Sequence, residues 1–237
     1  MGLTEQIRDA RFRPAKKDSE ASPKSGIKRF GYVLFHNFWR LIALNCLFLA
    51  FCLPVVTIPA SLCGLNRVLI KLTRDGYSFL WSDFHKEFKA CLFKSLPFGL
   101  LSAFLLFDVW VAANAAVAGE ELSIPALTIA FLLFLLNSLF SGYAFVFLPS
   151  LDAGGRAIAK NALVIMLSEW KADLVVLGVS VLSVFVLAGL FPYSVFLLPI
   201  WFAFAQLAVC VCVNEPMQRR IVAPYEAVNA NDSPSQP

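Results

Sequence analysis

Four apolar blocks, at residues 92–116, 124–149, 173–191 and 194–214, stand out along the chain. Each is near the ~20 residues a helix needs to cross a hydrocarbon core of about 30 Å, so the pattern predicts four full spans. An earlier apolar stretch, Leu41 to Leu72, is broken at its centre, where Pro54 and Pro59 bracket Val55, Val56, Thr57 and Ile58. Proline interrupts helical hydrogen bonding and favours a helix's first turn. The stretch therefore reads as two helical arms, 41–56 and 60–73, with a turn at Pro54, Thr57 and Pro59. At ~1.5 Å per residue the arms are roughly 24 Å and 21 Å long. That length leaves open a tilted short hairpin, a re-entrant loop packed on protein and a single span.

Between this stretch and the first full span, residues 78–94 show a different pattern. Trp81, Phe84, Phe88 and Cys91 recur at three- and four-residue spacing, with Asp83, Lys86, Glu87 and Lys89 off the stripe. A narrow aromatic face with a charged back predicts an amphipathic helix lying in the headgroup plane. The alternative is a face packed on a partner helix. Asp75-Gly76 supplies the turn before it.

Composition agrees with a lipid environment. Of 237 residues, 59% are hydrophobic and 15% charged, with a mean hydropathy of +0.71; soluble domains carry about 25% charged residues. The expected fold class is all-α, a polytopic transmembrane helical bundle: a short N-terminal helical hairpin, one interfacial amphipathic helix and four full spans. Residues 30–214 form the membrane domain, 1–29 a disordered basic tail and 215–237 a cytoplasmic tail. The first apolar stretch lies too far from the start for a cleavable signal peptide. No internal repeat is evident.

The net charge of +4 sits in tails and connecting loops and so reads as orientation against the bilayer, with no nucleic-acid partner. Nine Lys or Arg precede Leu41 and six lie between Gly64 and Lys94; Arg156, Lys160 and Lys171 follow the second full span, and Arg219 and Arg220 follow the last. The link at 119–123 and the turn at Pro192 and Tyr193 carry none. Basic loops stay cytoplasmic, so the N- and C-termini are expected inside. An even number of crossings must then lie within the Leu41 to Leu72 stretch, which predicts that it dips from the cytoplasmic side and returns.

Polar residues within the blocks are the candidates for chemistry. Asp108 lies well inside a span, roughly 6 Å from the midplane by helical rise, where an unpaired carboxylate is costly; its neighbours one turn away are apolar. Asn137 and Gln206 share a depth that permits a hydrogen bond between them, and Asn45 is a third amide of the kind that joins helices. Gly99 with Ala103, Ser138 with Gly142, and Gly178 with Ser180 and Ser183 offer close-approach faces. The six cysteines lie mostly in apolar blocks and read as packing residues. HExxH, GxSxG, P-loop and GxGxxG patterns are absent, and His36 and His85 do not share a span. No catalytic residue, metal site or cofactor is expected.

The run LPVVTIPASLCGLNRVLIKLTRDG, followed by WSDFHKEFKACLFKSLPFG, resembles the YesL-like bacterial integral membrane proteins, domain-of-unknown-function family 624. The shared elements are an apolar first helix, a Pro-x-x-Thr turn (Pro54, Thr57), a small-residue helix ending in basic residues (Ala60 to Lys71) and a phenylalanine-bearing amphipathic segment (Phe84, Phe88, Lys89). The resemblance covers about 50 to 65 residues and transfers no catalytic or ligand residue. It implies an accessory role near carbohydrate uptake in a bacterial cytoplasmic membrane.

Two functions compete. The first is a non-enzymatic accessory or assembly partner of another membrane protein, such as a sugar transporter. The second is a small transporter or channel with a polar path that includes Asp108. An intramembrane enzyme would need a second acid beside Asp108.

Overall fold

The computed structural model describes residues 26–118, 124–151, 153–189 and 193–223. Of the tails expected at 1–29 and 215–237, residues 1–25 and 224–237 lie outside the described residues, as do the acidic link at 119–123 and Pro192; residues 26–29 and 215–222 are helical instead, continuing the helices beside them. Helices account for the secondary structure of the described part: α1 (Gly26–His36), α2 (Phe38–Phe51), α3 (Ile58–Asp75), α4 (Leu80–Val117), α5 (Ile124–Phe147), α6 (Gly155–Met166), α7 (Trp170–Val184) and α8 (Ser194–Met217). A 3-10 turn at Val55–Thr57 joins α2 to α3, and π turns at Phe185–Gly189 and Gln218–Val222 extend α7 and α8. Five helical segments are long and apolar enough to cross a membrane; α1 and α2, bent by 82° at their junction, form a sixth when taken as one broken span. The chain is an all-α, multi-pass membrane protein.

The centre of the bundle is α3. Thr57 precedes it and donates its hydroxyl to the carbonyls of Phe51 and Pro54, at 2.5 and 2.6 Å, which fixes the turn out of α2. Pro59 occupies its first turn, where the missing N–H loses nothing. Gly76 ends it at φ 76°, a left-handed position that only glycine takes without strain. Between these caps α3 is buried around most of its circumference, including Ala60, Cys63, Leu65, Val68, Leu69 and Leu72. Helices α2, α4, α5 and α8 all pack on it.

The broken stretch forms two arms as expected, with shifted bounds: the first helix stops at Phe51 and the second begins at Ile58. The turn consumes 52–57, because Thr57 captures the last carbonyl of α2. Both flanks meet at one end, where Arg29 donates to the carbonyl of Arg74 at 3.2 Å. The first arm turns its Leu41, Leu44, Asn45 and Phe48 face to α8.

The separate interfacial helix is corrected by the structure. Residues 80–94 are the first part of α4, continuous with the following span as one 38-residue helix that carries Pro97 inside it. Its aromatic stripe faces the protein. Phe84 is fully buried against Gly64, whose added Cβ would meet the ring at 3.0 Å. Phe88 packs on Phe51 at 4.9 Å between ring centroids. Trp81, stacked on His85, stays exposed, and Lys89 is on the solvated back.

Helices α3 and α4 run antiparallel with a clear register: Lys71 meets Asp83, Arg67 meets Glu87, and Pro59 meets Gly99. The hairpin tip therefore stops at Gly99, and α4 continues roughly 27 Å beyond it. That distal part carries exposed Leu100, Phe104, Phe107 and Trp110, and the first half of α5 carries exposed Ile129, Phe131 and Leu132. The densely packed core, including Tyr143, Phe147, Ile158, Leu207 and Val213, lies at the end where the basic loops converge. Helix α6, which hydrophobic blocks alone did not predict, packs Ile158, Ala162 and Ile165 against this end of α5.

Candidate functional site

Polar residues at the basic end form ties between helices. Lys71 and Asp83 pair at 2.5 Å, and Asp83 also accepts from the Ser78 hydroxyl and the Phe79 backbone N–H, closing the start of α4. Arg67 lies 3.8 Å from Glu87 and donates to the Pro149 carbonyl at 3.2 Å. Glu87 in turn accepts from the Cys91 thiol at 3.2 Å. Asn66 donates to the Phe145 carbonyl at 2.8 Å and accepts from the Cys210 thiol at 3.3 Å, so one amide joins α3, α5 and α8. Tyr143 donates to Asp173 at 2.6 Å, joining α5 to α7. At the surface Glu169 accepts from Arg219 and Arg220 at 2.5 and 2.7 Å. Slight burial pushes the Glu169 carboxyl up, and the two guanidinium groups outweigh it, holding the acid below the usual carboxylate range.

A cavity of about 470 Å³ opens above this layer, between the hairpin tip and helices α4, α5, α7 and α8. Its wall is mainly apolar, interrupted by Asn137, Gln206, Ser102, Ser138, Ser141, Ser180 and Ser183. The serine hydroxyls at 141, 180 and 183 donate back into their own helices. Trp201 donates to the Ser183 oxygen at 3.0 Å. Asn137 is 4% exposed and its Oδ1 has no hydrogen-bond partner, nor has the Ser102 Oγ.

Asn137 and Gln206 thus share one cavity as their common depth implied, but no hydrogen bond joins them among the described residues. Asn45 acts as interhelical glue, donating to the Leu198 carbonyl at 2.6 Å. Asp108 does not line this cavity, which Asn137 and Gln206 share; its position beyond Gly99 places it on the distal part of α4. The close-approach glycines work within the chain: a Cβ on Gly99 would lie 2.1 Å from Pro59 Cγ, and one on Gly142 would lie 2.7 Å from Val176. Gly178 has nothing within 4 Å of its would-be Cβ.

The sequence reading missed Asn66, Glu87 and the Tyr143 and Asp173 pair. Each sits near a basic or polar flank, where a solvated residue is the ordinary expectation. The serines of the cavity carried a signal, since they recur at helical spacing inside apolar blocks.

Residues 41–112, from within α2 to the distal part of α4, match the family described as "Protein of unknown function, DUF624". Over this segment the chain is similar to DUF624 proteins. The resemblance to YesL-like proteins is consistent with that family. No curated protein and no solved structure matches the chain. The DUF624 segment holds the hairpin and its ion pairs with α4, whereas Asn137 and Gln206 come from helices beyond it.

Proposed function

We propose that this protein is a non-catalytic, multi-pass component of a bacterial cytoplasmic membrane that assembles with another membrane protein, in the setting of carbohydrate uptake that the family resemblance implies. The observation that carries the reading is the division of labour among its side chains. The ion pairs at Lys71, Arg67 and Glu169 hold helices together, while the distal parts of α4 and α5 present a broad apolar face with few contacts to the rest of the chain. A protein so built acts by shape and contact.

The basic ends of α1, α3 and α8 lie on the cytoplasmic side in this reading. Cysteines at exposed Tyr77 and Tyr193 test this side assignment, in a background without native cysteines. Tyr77→Cys should resist an impermeant thiol reagent in intact cells and Tyr193→Cys should react; the reverse pattern overturns the orientation. A photoreactive residue at Phe104 or Phe131 should crosslink in native membranes to a transport-system subunit that co-purifies in mild detergent. Adducts to lipid alone, with monomeric protein in detergents that preserve membrane complexes, would defeat the assembly reading.

The apolar cavity wall disfavours a transporter of hydrated sugar. It offers amides and hydroxyls at scattered points and no charged side chain.

A further inference from the structure

We propose that the cavity above the ion-pair layer is a binding site for an uncharged amphiphile, a molecule with an alkyl body and one hydroxyl, that enters from the lipid. This inference is independent of the assembly reading. Size is the first support: about 470 Å³ lies within the ~300–1,000 Å³ of small-molecule sites. A ten-carbon alcohol, at ~30 Å³ per heavy atom, needs about 330 Å³.

Chemistry is the second. Side chains of Leu62, Phe134, Val179 and Phe202 line the wall and suit an alkyl chain. No Lys, Arg, Asp, Glu or His lines it, so an ionised headgroup would lose its hydration without a counter-charge. A sugar would strand most of its hydroxyls for the same reason.

The third support is the amide of Asn137, at the wall and almost wholly buried, with its Oδ1 unpartnered. A buried amide oxygen without a partner is an acceptor in want of a donor. A single ligand hydroxyl supplies one, and rotation of the amide brings either of its polar atoms to the ligand. Ser102, whose Oγ is also unpartnered, stands on the neighbouring wall. The rim includes Val55 and Leu106, both exposed on the outer surface, so an apolar mouth faces the hydrocarbon.

The test uses the full chain reconstituted in phosphatidylcholine and phosphatidylglycerol vesicles, with a diazirine-bearing ten-carbon alcohol as the probe. Labelling should saturate, map to the cavity walls of α5, α7 and α8, and be competed by unlabelled decanol. Decanoate, at a pH that keeps it ionised, and maltose should compete poorly. Asn137→Leu should weaken half-saturation roughly 3- to 10-fold, the worth of one neutral hydrogen bond. Val179→Trp, which fills the cavity and leaves the amide in place, should abolish saturable labelling. Both variants are first checked for wild-type elution and thermal transition. Labelling that never saturates and spreads over the lipid-facing helices overturns the site, as does saturable labelling that neither well-folded variant alters. Equal competition by decanoate overturns the assignment to uncharged ligands. If either variant misfolds, the map and competition on the wild-type chain decide the matter.

Discussion

The α3 hairpin and the distal halves of α4 and α5 are both strongly apolar, yet the protein treats them oppositely. In the span Val55–Asp75, 56% of the apolar window is buried within the protein; in Ile124–Phe147 the figure is 11%. The buried span is the less apolar of the two, because a neighbouring helix accepts polar side chains that lipid does not. What separates them is shape and residual polarity. Helix α3 offers Gly64 to Phe84 and turns Asn66, Arg67 and Lys71 to partners on other helices. Leu100, Phe104 and Phe107 offer bulk without a matching recess. Packing needs complementary relief, whereas lipid only needs grease.

Truncating a ring on each side tests this contrast most sharply. Phe84→Ala opens a cavity against Gly64 and should cost about 3–5 kcal/mol, whereas Phe104→Ala, at a largely exposed ring, should stay within about 0.5 kcal/mol. Thermal or SDS-induced unfolding in mild detergent measures both. Similar losses at the two sites would show that the distal half is as tightly packed as the base.

A smaller effect is expected at the border of the two regions. Gly99→Ala drives a methyl into Pro59, whose Cγ would lie 2.1 Å away, and should cost about 1–3 kcal/mol. Gly178→Ala, with open space around it, should be neutral or slightly stabilising. If the Gly99 variant is equally silent in the same unfolding assay, the tip does not bear on α4.

The smallest effect lies at the solvated edge of the base. The Glu169 carboxyl is held below its usual range by Arg219 and Arg220, so its contribution is present above the unfolded carboxylate pKa, near 4.3, and fades as pH falls through the lower folded value. Because the cluster is exposed, the effect should be about 0.2–1 kcal/mol and should shrink in high salt. Unfolding midpoints of wild type and Glu169→Gln should converge as pH drops from 6 toward 3; a gap that widens would assign the residue a different role.

The four full spans and the interrupted first stretch were legible because each is written in consecutive residues. The continuity of α4 was not. An aromatic stripe with a charged back reads the same whether it meets headgroups or another helix, and the deciding residue, Gly64, stands 20 positions before Phe84. Asp108 drew notice because an acid in an apolar block is conspicuous, while Asn66 did not because Arg67 and Lys71 follow it closely. Which of them reaches another helix is a property of packing. Asn137 and Gln206 were recognisable by depth, but the cavity they share is closed by α7 and the hairpin tip, which are distant in sequence.

The Asn66 bridge also sets a schedule for making the protein. Its two partners lie 79 and 144 residues further along the chain. At ~5–20 residues per second of synthesis, the last of them emerges on the order of ten seconds after Asn66 itself. Until then α3 is a helix whose Asn66 oxygen is uncommitted, waiting for α8 to arrive. Truncated chains that end before Cys210 should therefore be held in an unfinished state, open to membrane proteases, and only release of the full-length chain closes the bundle.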